Sequence, residues 1–274
     1  MRFEKVIIVS DMDGTFLGRG ATVVPENVEA VEYFNSKGGK FTFATGRVHY
    51  NIFKAVKNAN LLCNIPAVTV NGACIYDLSL NKIVYENPMN VSDVKEVTEF
   101  ADSEYPHIGV RCSTEYGMLT NRVNEIIKKD IDGFEGGRVE IKDTDMWIGE
   151  KIYKVVFRAQ AEQLLEFRSD LERNFAGRFN IAASSPRFLE LNSPGCSKAD
   201  GIEFISNYYE NEYKYKPIVF AVGDYENDLQ MLNSADYSVC PSNASDRVKA
   251  ASDFVLCDCD DGVIGELVKL IERL

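Results

Sequence analysis

Short runs of consecutive apolar residues alternate with segments of helical periodicity in the first and last parts of the chain. The clearest runs are Val6–Ser10, 40–44, 67–70 and Ile218–Val222. Continuous apolar runs of this length are typical of strands that are buried on both faces of a parallel sheet. Between the first two runs, Pro25 opens a segment with apolar residues at helical spacing, and Gly38 ends it. The pattern predicts βαβ units and therefore an α/β fold.

The middle of the chain has a different pattern. Shorter apolar runs with polar turns between them accompany two main helical segments, and this mixture predicts an α+β module of roughly a hundred residues. We place its limits near residues 86 and 189. The expected organisation is an α/β domain formed by residues 1–85 and 190–274, with an α+β domain of residues 86–189 inserted into it.

Composition narrows the classes of function. The 274 residues include 30 Lys and Arg but 42 Asp and Glu, which gives a formal net charge of -12. This balance argues against nucleic acid or an anionic membrane surface as the partner. It does not exclude an anionic small molecule, because a bound divalent cation and one well-placed lysine determine the local field.

The sequence also predicts the compartment of the protein and the redox state of its cysteines. No apolar run is long enough to span a bilayer, and the first residues do not have the pattern of a signal peptide. The seven cysteines are scattered without a CxxC pair. We therefore expect a cytoplasmic protein with reduced thiols. The oligomeric state is not predictable from the sequence.

The strongest chemical signal is the segment from Asp11 to Thr15, Asp-Met-Asp-Gly-Thr, which directly follows the first predicted strand. Ligands of open α/β sheets bind at the carboxyl ends of the strands, where these two carboxylates are expected to lie. Aspartate and glycine are also common in ordinary turns. The segment alone is therefore compatible with a site or with a plain turn.

Four further segments favour the site over the plain turn, because together with this segment they show a resemblance to a known family. They follow other predicted strands or open helices: Thr45-Gly46-Arg47, Asn71-Gly72, Ser197-Lys198-Ala199 and Gly223-Asp224-Tyr225-Glu226-Asn227-Asp228. With these motifs in this order, the chain resembles the haloacid dehalogenase-like phosphohydrolases from end to end. Within them it resembles the Cof-type subfamily, which has a large type IIB cap inserted between the second and third motifs. The resemblance implies a Rossmann-like parallel-sheet core with an inserted α+β cap domain.

The resemblance also implies a mechanism. Asp11 is expected to attack phosphorus and form an aspartyl phosphate, and Asp13 is expected to act as general acid and then general base. The implied cofactor is Mg²⁺, a hard cation that prefers oxygen ligands. Its expected ligands are the Asp11 carboxylate, the Asp13 main-chain carbonyl and the Asp224 carboxylate, with Asp228 in close support.

A second set of residues is expected to bind phosphate or substrate: Met12, Thr45, Gly46, Arg47, Lys198 and Asn227. Most of them have an alternative interpretation when they are taken alone. Thr-Gly-Arg is compatible with a plain helix start, and a lysine at a helix start is usually solvated. Asn227 is compatible with a helix cap, with a phosphate contact, or with both.

Two C-terminal loops need separate comment. The subfamily often has a small, glycine-bearing segment where this chain has Cys240-Pro241-Ser242-Asn243-Ala244. Pro241 removes a main-chain N–H, which weakens any expectation of a main-chain contact there. The acidic run from Asp258 to Asp261 resembles a metal site in composition, but we interpret it as a solvated loop that caps the last helix.

Three classes of function remain. The first is a phosphatase acting on a small phosphorylated metabolite, such as a sugar phosphate or a similar polyol ester. The second is a phosphomutase of the same fold, and the third is a non-catalytic phosphate-responsive module. Asp13 argues against the third, since a module without a leaving group needs no acid. Substrate discrimination is expected from the insert, with four candidate positions: Arg111, Glu115, Tyr116 and Arg187.

Overall fold

The computed structural model describes residues 3–134 and 137–274, apart from the side chain of Tyr213. The chain forms two compact units. The core unit contains the described residues up to Tyr85 together with Ser197–Leu274, and the inserted unit is Glu86–Cys196. In these described ranges, no helix combines the length and the apolar character that crossing a membrane requires.

Strands and helices follow one another along the whole chain. The strands of the described residues are β1 (Val6–Ser10), β2 (Leu17–Gly18), β3 (Thr22–Val23), β4 (Lys40–Phe43), β5 (Ala67–Thr69), β6 (Cys74–Asp77), β7 (Lys82–Glu86), β8 (Gly109–Thr114), β9 (Gly117–Thr120), β10 (Arg138–Ile141), β11 (Ile152–Arg158), β12 (Asn180–Ser185), β13 (Phe188–Asn192), β14 (Ile218–Val222), β15 (Tyr237–Pro241) and β16 (Phe254–Leu256). The α-helices of the same residues are α1 (Pro25–Ser36), α2 (His49–Ala55), α3 (Ala59–Leu62), α4 (Val91–Glu104), α5 (Glu125–Asp132), α6 (Ala161–Asn174), α7 (Lys198–Tyr213), α8 (Leu229–Ser234), α9 (Asp246–Ala251) and α10 (Val263–Arg273).

The core unit is built on a five-stranded parallel sheet with the order β16-β15-β14-β1-β4. All five residues of the central strand β1 are buried. Its side chains alternate between two hydrophobic clusters, because successive residues of a strand point to opposite faces. Val6 and Ile8 pack with residues of α1 and α10, whereas Ile7 and Val9 pack with residues of α7 and α8. Helices therefore cover both faces, and the predicted α/β architecture with a parallel-sheet core is confirmed.

A smaller sheet, β5-β6-β7, adjoins β4 in the same unit. Its strand β5 was expected to belong to the parallel sheet. A parallel bridge between Ala44 and Val68 makes the connection, and the hydrogen bond from Thr45 N–H to the Val68 carbonyl (2.9 Å) extends it. The residues directly after β4 are therefore held in place by both sheets.

The inserted unit has a six-stranded mixed sheet with the order β10-β9-β8-β11-β13-β12. Helices α4 and α6 pack on one face through a continuous hydrophobic cluster that includes Val97, Phe157 and Phe167. Asn90 and Asn124 cap α4 and α5 through their side-chain oxygens, as expected of asparagine at a helix N-terminus.

The second limit of the inserted unit differs from the expected one. A limit between residues 189 and 190 falls inside β13, and this strand is hydrogen-bonded to β11 on one side and β12 on the other. Since both neighbours belong to the inserted unit, the whole strand belongs there too. The limit therefore lies between Cys196 and Ser197, immediately before α7.

Candidate active site

Three neighbouring strands of the core sheet end at the same level. The last residue of β1 pairs with the last residue of β4 on one side and with the last residue of β14 on the other. Asp11, Thr45 and Asp224 follow these three strand ends, so the topology collects residues from distant parts of the sequence at one edge. This is the edge where open α/β sheets bind their ligands.

Lys198 lies at the centre of this edge and is fully buried. Its Nζ donates to Asp11 Oδ1 at 2.5 Å and to Asp228 Oδ1 at 2.6 Å. Burial lowers the pKa of Lys198, but Asp11 and Asp228 outweigh this effect, so the pKa is raised overall. The lysine is therefore a fixed positive charge between two carboxylates, and its interpretation as a solvated side chain is wrong.

The Asp11 carboxyl group is also buried. Burial raises its pKa well above the usual value; Lys198 opposes this shift, and Asp228, Asp224 and Asp13 reinforce it. A carboxylate is costly to bury among like charges. Asp11 is thus held in a position where a further positive charge would stabilise its ionised form.

The turn after β14 is organised by Asp228. Its second oxygen accepts hydrogen bonds from the main-chain N–H groups of Asp224 (2.9 Å) and Tyr225 (3.1 Å). A Cβ at Gly223 would lie only 2.5 Å from the Cβ of Asp228, so glycine is required for this close approach. The turn therefore fixes the position from which the Asp224 side chain projects.

Asp224 is the third carboxylate of the group. Burial and the neighbouring Asp228 raise its pKa to about 7, against the opposing effect of Lys198. Thr15 donates to Asp224 Oδ1 at 3.2 Å. Gly14 adopts φ +78°, and a Cβ there would lie 2.7 Å from Asp224 Oδ2, so the loop after β1 packs directly against this carboxylate.

Asp13 faces a different partner. Arg47 Nε donates to Asp13 Oδ2 at 2.8 Å and Arg47 Nη2 donates to Asp13 Oδ1 at 2.6 Å, which is a bidentate ion pair. Arg47 Nη1 also donates to the Asn51 carbonyl, and its main-chain N–H donates to Thr45 Oγ1. The Asp13 side chain is 56% exposed. Arg47 therefore orients the carboxylate that points most openly to solvent.

The remaining expected residues have distinct environments. Met12 is fully buried in the hydrophobic core, so only its main chain is available to a ligand. Thr45 is buried, and Gly46 follows it in the turn before α2. Asn227 lies inside the short 3-10 helix Glu226–Asp228, and the N-cap positions there and at α8 belong to Tyr225 and Asp228. The helix-cap interpretation of Asn227 is therefore not supported.

Asp11, Asp224 and Asp228 form a group of oxygen ligands suitable for a metal ion. One carboxylate oxygen from each lies within 4.8 Å of the others. Three carboxylates against the single buried Lys198 leave an excess of negative charge, and the raised pKa values of Asp11 and Asp224 express it. Hard oxygen donors with excess negative charge fit Mg²⁺.

A second acidic group, Asp258-Cys259-Asp260, has a different character. The Arg19 guanidinium donates to both oxygens of Asp258 and to Asp260, so a cation of the chain itself is already paired with these carboxylates. Asp258 caps the short helix Cys259–Asp261. The acidic run was expected to cap the last helix, α10. The cap contact is made instead by Asn27, whose Oδ1 accepts a hydrogen bond from the Ile264 N–H.

Two residues that were not among the expected site residues also shape the site. Thr15 supports Asp224, as described above. Asn243 donates from Nδ2 to the Gly14 carbonyl at 2.9 Å and accepts from the Cys259 N–H at 2.8 Å. Its segment was singled out because of Pro241, but the contact comes from the side chain two residues later. The available signal was the polar side chain of Asn243, two residues after an unusual proline.

Comparison with known proteins identifies the family. The family model for haloacid dehalogenase-like hydrolases matches residues 8–267. The chain belongs to this family. The resemblance inferred from the motifs is thereby confirmed, and the chain is an enzyme, a hydrolase.

Similar proteins add detail to this hydrolase. It is 25% identical to the 5-amino-6-(5-phospho-D-ribitylamino)uracil phosphatase YitU of Bacillus subtilis, covering 91% of each chain. It is 27% identical to a chloroplastic endoribonuclease YBEY of Arabidopsis thaliana, but it spans only 45% of the length of that protein. A solved structure described as a subclass IIB sugar phosphatase of the superfamily has a TM-score of 0.80 at 22% identity, with 98% and 99% of the two chains covered. That likeness shows the subclass IIB fold. Together, the comparisons support hydrolysis of a phosphoric monoester.

Proposed function

We propose that this hydrolase is a Mg²⁺-dependent phosphatase that acts on a small phosphorylated metabolite through a phosphoenzyme on Asp11. The observation that carries the proposal is the position of Asp11 at the strand edge. One of its oxygens is held by the buried Lys198, and it belongs to the group of three carboxylates described above.

The proposed reaction has two steps. In the first, an Asp11 oxygen forms a bond to phosphorus while the bond to the leaving oxygen breaks, and Asp13 gives its proton to that oxygen. In the second, Asp13 takes a proton from water, the water oxygen forms a bond to phosphorus, and the bond from phosphorus to Asp11 breaks. Inorganic phosphate leaves, and both side chains return to their starting states.

Positive charge is required because both the nucleophile and the substrate are anions. Lys198 is proposed to hold a phosphate oxygen and to offset the repulsion between Asp11 and the phosphoryl group. Mg²⁺ would be bound by the Asp11 and Asp224 carboxylates and the Asp13 main-chain carbonyl, with Asp228 in support. When it is bound, it supplies further positive charge against the phosphoryl oxygens.

Other residues are proposed to bind phosphate or to orient the acid. Thr45 offers a hydroxyl, and Met12 and Gly46 offer main-chain N–H groups close to the strand ends. Asn227 offers a side-chain amide. Arg47 is proposed to hold Asp13 in place before the substrate binds rather than to bind phosphate, because its guanidinium is engaged with both Asp13 oxygens. One of these two hydrogen bonds must open before Asp13 can carry the proton to the leaving oxygen.

The proposed substrate is a sugar or polyol phosphate. The names of the similar proteins support this class, since one is a phosphatase for a phosphorylated ribityl compound and the other is a sugar phosphatase. The phosphatase names also favour hydrolysis over the mutase alternative.

A screen of phosphorylated metabolites tests the proposal directly. Free phosphate is measured with MgCl₂ and with a chelator, and the Asp11→Asn variant serves as the control for contaminating activity. We expect release of phosphate from several sugar phosphates, dependent on Mg²⁺ and absent in the variant. Phosphate that moves between positions of a sugar without release would instead identify a mutase. Activity that persists in the chelator or in Asp11→Asn would contradict the mechanism.

A further inference from the structure

The sheet of the inserted unit brings together three arginines, Arg111, Arg158 and Arg187, which we call the arginine cluster. Arg111 lies on β8 and pairs in register with Val156 of the neighbouring strand β11. Arg158 lies two residues further along β11, so its side chain emerges on the same face of the sheet as Arg111. The topology therefore places two guanidinium groups side by side.

A single buried carboxylate is shared between these two arginines. Arg111 Nε donates to Asp130 Oδ2 at 3.0 Å, and Arg158 Nη1 donates to Asp130 Oδ1. The Asp130 side chain is 7% exposed, whereas those of Arg111 and Arg158 are 23% and 31% exposed. Asp130 belongs to α5, so these contacts attach that helix to the sheet while part of each guanidinium faces solvent.

Arg187 brings the third positive charge. It is exposed in the turn between β12 and β13, and no carboxylate in the described parts of the chain lies within ion-pair distance of it. The next residue, Phe188, pairs in register with Arg158, and its ring centroid lies 5.2 Å from the Arg158 guanidinium carbon. Burial lowers the pKa of Arg158, and the charges of Arg111 and Arg187 lower it further, as expected when positive charges lie near the Arg158 guanidinium.

This charge pattern is unusual for the chain. The cluster with Asp130 contains three positive charges and one negative charge, although the whole chain carries a net charge of -12. Holding α5 on the sheet requires Arg111 and Arg158 but gives no reason for a third arginine beside them. A guanidinium presents planar pairs of N–H donors that match the oxygens of phosphate and carboxylate groups.

We propose that the arginine cluster is an anion-binding site, which takes a phosphate or carboxylate group of a small organic molecule. It uses none of the residues of the candidate active site. The anion has two possible sources: a second anionic group on the substrate, which rests on the proposed function, or a separate anion that acts as an effector. The shared chemistry is recognition of a multiply charged oxyanion by Arg187 together with Arg158 and Arg111.

Binding of inorganic phosphate tests the site without requiring turnover. Isothermal titration calorimetry is performed on the full chain in the presence of a chelator, with wild type, Arg187→Glu and Arg187→Lys. Arg187 is exposed in a turn, so these substitutions leave the packing of the sheet unchanged. The matched control is Arg173→Glu, which alters another exposed arginine of the same unit, 69% exposed and paired with Asp170.

We expect Arg187→Glu to weaken phosphate binding by about tenfold or more, the scale of one charge-assisted hydrogen bond. Arg187→Lys retains the charge and should lose less, and Arg173→Glu should bind as wild type does. Equal phosphate affinity in wild type and Arg187→Glu would overturn the proposal, as would the absence of phosphate binding under these conditions. Because no turnover is measured, a failure of the proposed phosphatase function would not affect this result.

A kinetic comparison then distinguishes the two sources. The values of kcat/KM for a sugar bisphosphate and for the corresponding monophosphate are measured in wild type and Arg187→Glu. A loss confined to the bisphosphate identifies the substrate's own second group as the anion. Unchanged kinetics on both substrates, together with weakened phosphate binding, identifies a separate anion. Equal losses on both substrates, matched by Arg173→Glu, would contradict a specific anion site.

Discussion

At the scale of single residues, the candidate active site brings several carboxylates of like charge close together. Asp11, Asp224 and Asp228 lie together around Lys198, and the first two have raised pKa values because they are buried near one another. Buried carboxylates with too little compensating charge reduce stability. The arrangement fits the reactivity proposed above, and replacing Asp11 or Asp224 by its amide should affect turnover far more than folding.

Asp11→Asn tests this separation of reactivity from stability. The amide keeps the shape of the side chain and removes the nucleophile, so kcat should fall by at least about a hundredfold, as expected for loss of a covalent nucleophile. The Tm should stay within a few degrees of wild type or rise, because a buried charge among like charges is removed. Retention of more than about a tenth of kcat would show that Asp11 is not the nucleophile.

Asp13→Asn tests the proposed acid. An alkyl leaving group needs a proton, whereas an aryl phosphate with a good leaving group needs little protonation. The loss of kcat/KM should therefore be at least about tenfold greater for a sugar phosphate than for an aryl phosphate. Arg47→Ala should show the same preference to a smaller degree, since it only releases the orientation of Asp13. Equal losses on the two substrate classes would rule out the acid role.

Some residues of the site were predictable from the sequence and others were not. Asp11 and Asp224 lie in motifs directly after strands, so their convergence follows from the parallel topology. The bidentate pair between Arg47 and Asp13 and the bridge formed by Asn243 depend on side-chain directions in loops. Such directions are determined by tertiary packing and cannot be read from periodicity.

At the scale of secondary-structure elements, buried strands were the easiest to predict. The run Val6–Ser10 matches β1, and Ile218–Val222 matches β14, because strands buried on both faces must be continuously apolar. Strand β10 was missed for the opposite reason. It lies at the edge of its sheet, none of its four residues is buried, and polar and apolar residues alternate in it, so no apolar run marks it.

Asn243 connects two loops at this scale, and Asn243→Ala tests the connection. The substitution removes hydrogen bonds to the Gly14 carbonyl and from the Cys259 N–H, which should lower the free energy of unfolding by about 1–3 kcal/mol. Because Gly14 packs against Asp224, kcat should fall and the Mg²⁺ concentration required for activity should rise. Urea unfolding and a metal titration measure the two effects.

Ser242→Ala is the matched control for this test. Ser242 is exposed in the same segment, and its main-chain N–H, which the substitution keeps, donates to the Cys257 carbonyl. We expect wild-type stability and metal dependence. If Asn243→Ala lowered stability without changing the metal requirement, Asn243 would support the fold but not the position of Asp224.

At the scale of the whole molecule, the order of motifs along the chain was informative because it matched a family. Periodicity alone predicted an α/β domain with an α+β insert, and the family resemblance added the cap class and the roles of the motifs. The arginine cluster could not be predicted in this way. Arg111 and Arg187 were candidates individually, but their convergence with Arg158 depends on the strand order and on α5.

The dependence of whole-molecule stability on pH and Mg²⁺ follows from Asp224. Its pKa is about 7 in the folded protein and about 4 in an unfolded chain. Between these values the folded state binds more protons than the unfolded state, so stability without metal should decrease as the pH rises from about 4 to about 7. The raised pKa of Asp11 acts in the same direction.

Mg²⁺ should reverse this trend, because it binds the ionised carboxylates and competes with protons. The rise in Tm caused by a fixed Mg²⁺ concentration should therefore be larger at pH 8 than at pH 5, because stabilisation by a ligand grows with the logarithm of its affinity and Mg²⁺ binds more tightly at pH 8. Thermal unfolding with and without Mg²⁺ at both pH values measures it. Asp224→Asn should reduce both the pH slope and the Mg²⁺ effect, whereas a general effect of the net charge would leave the difference between variant and wild type constant. An Mg²⁺-induced rise in Tm that is equal at the two pH values would exclude Asp224 as a metal ligand.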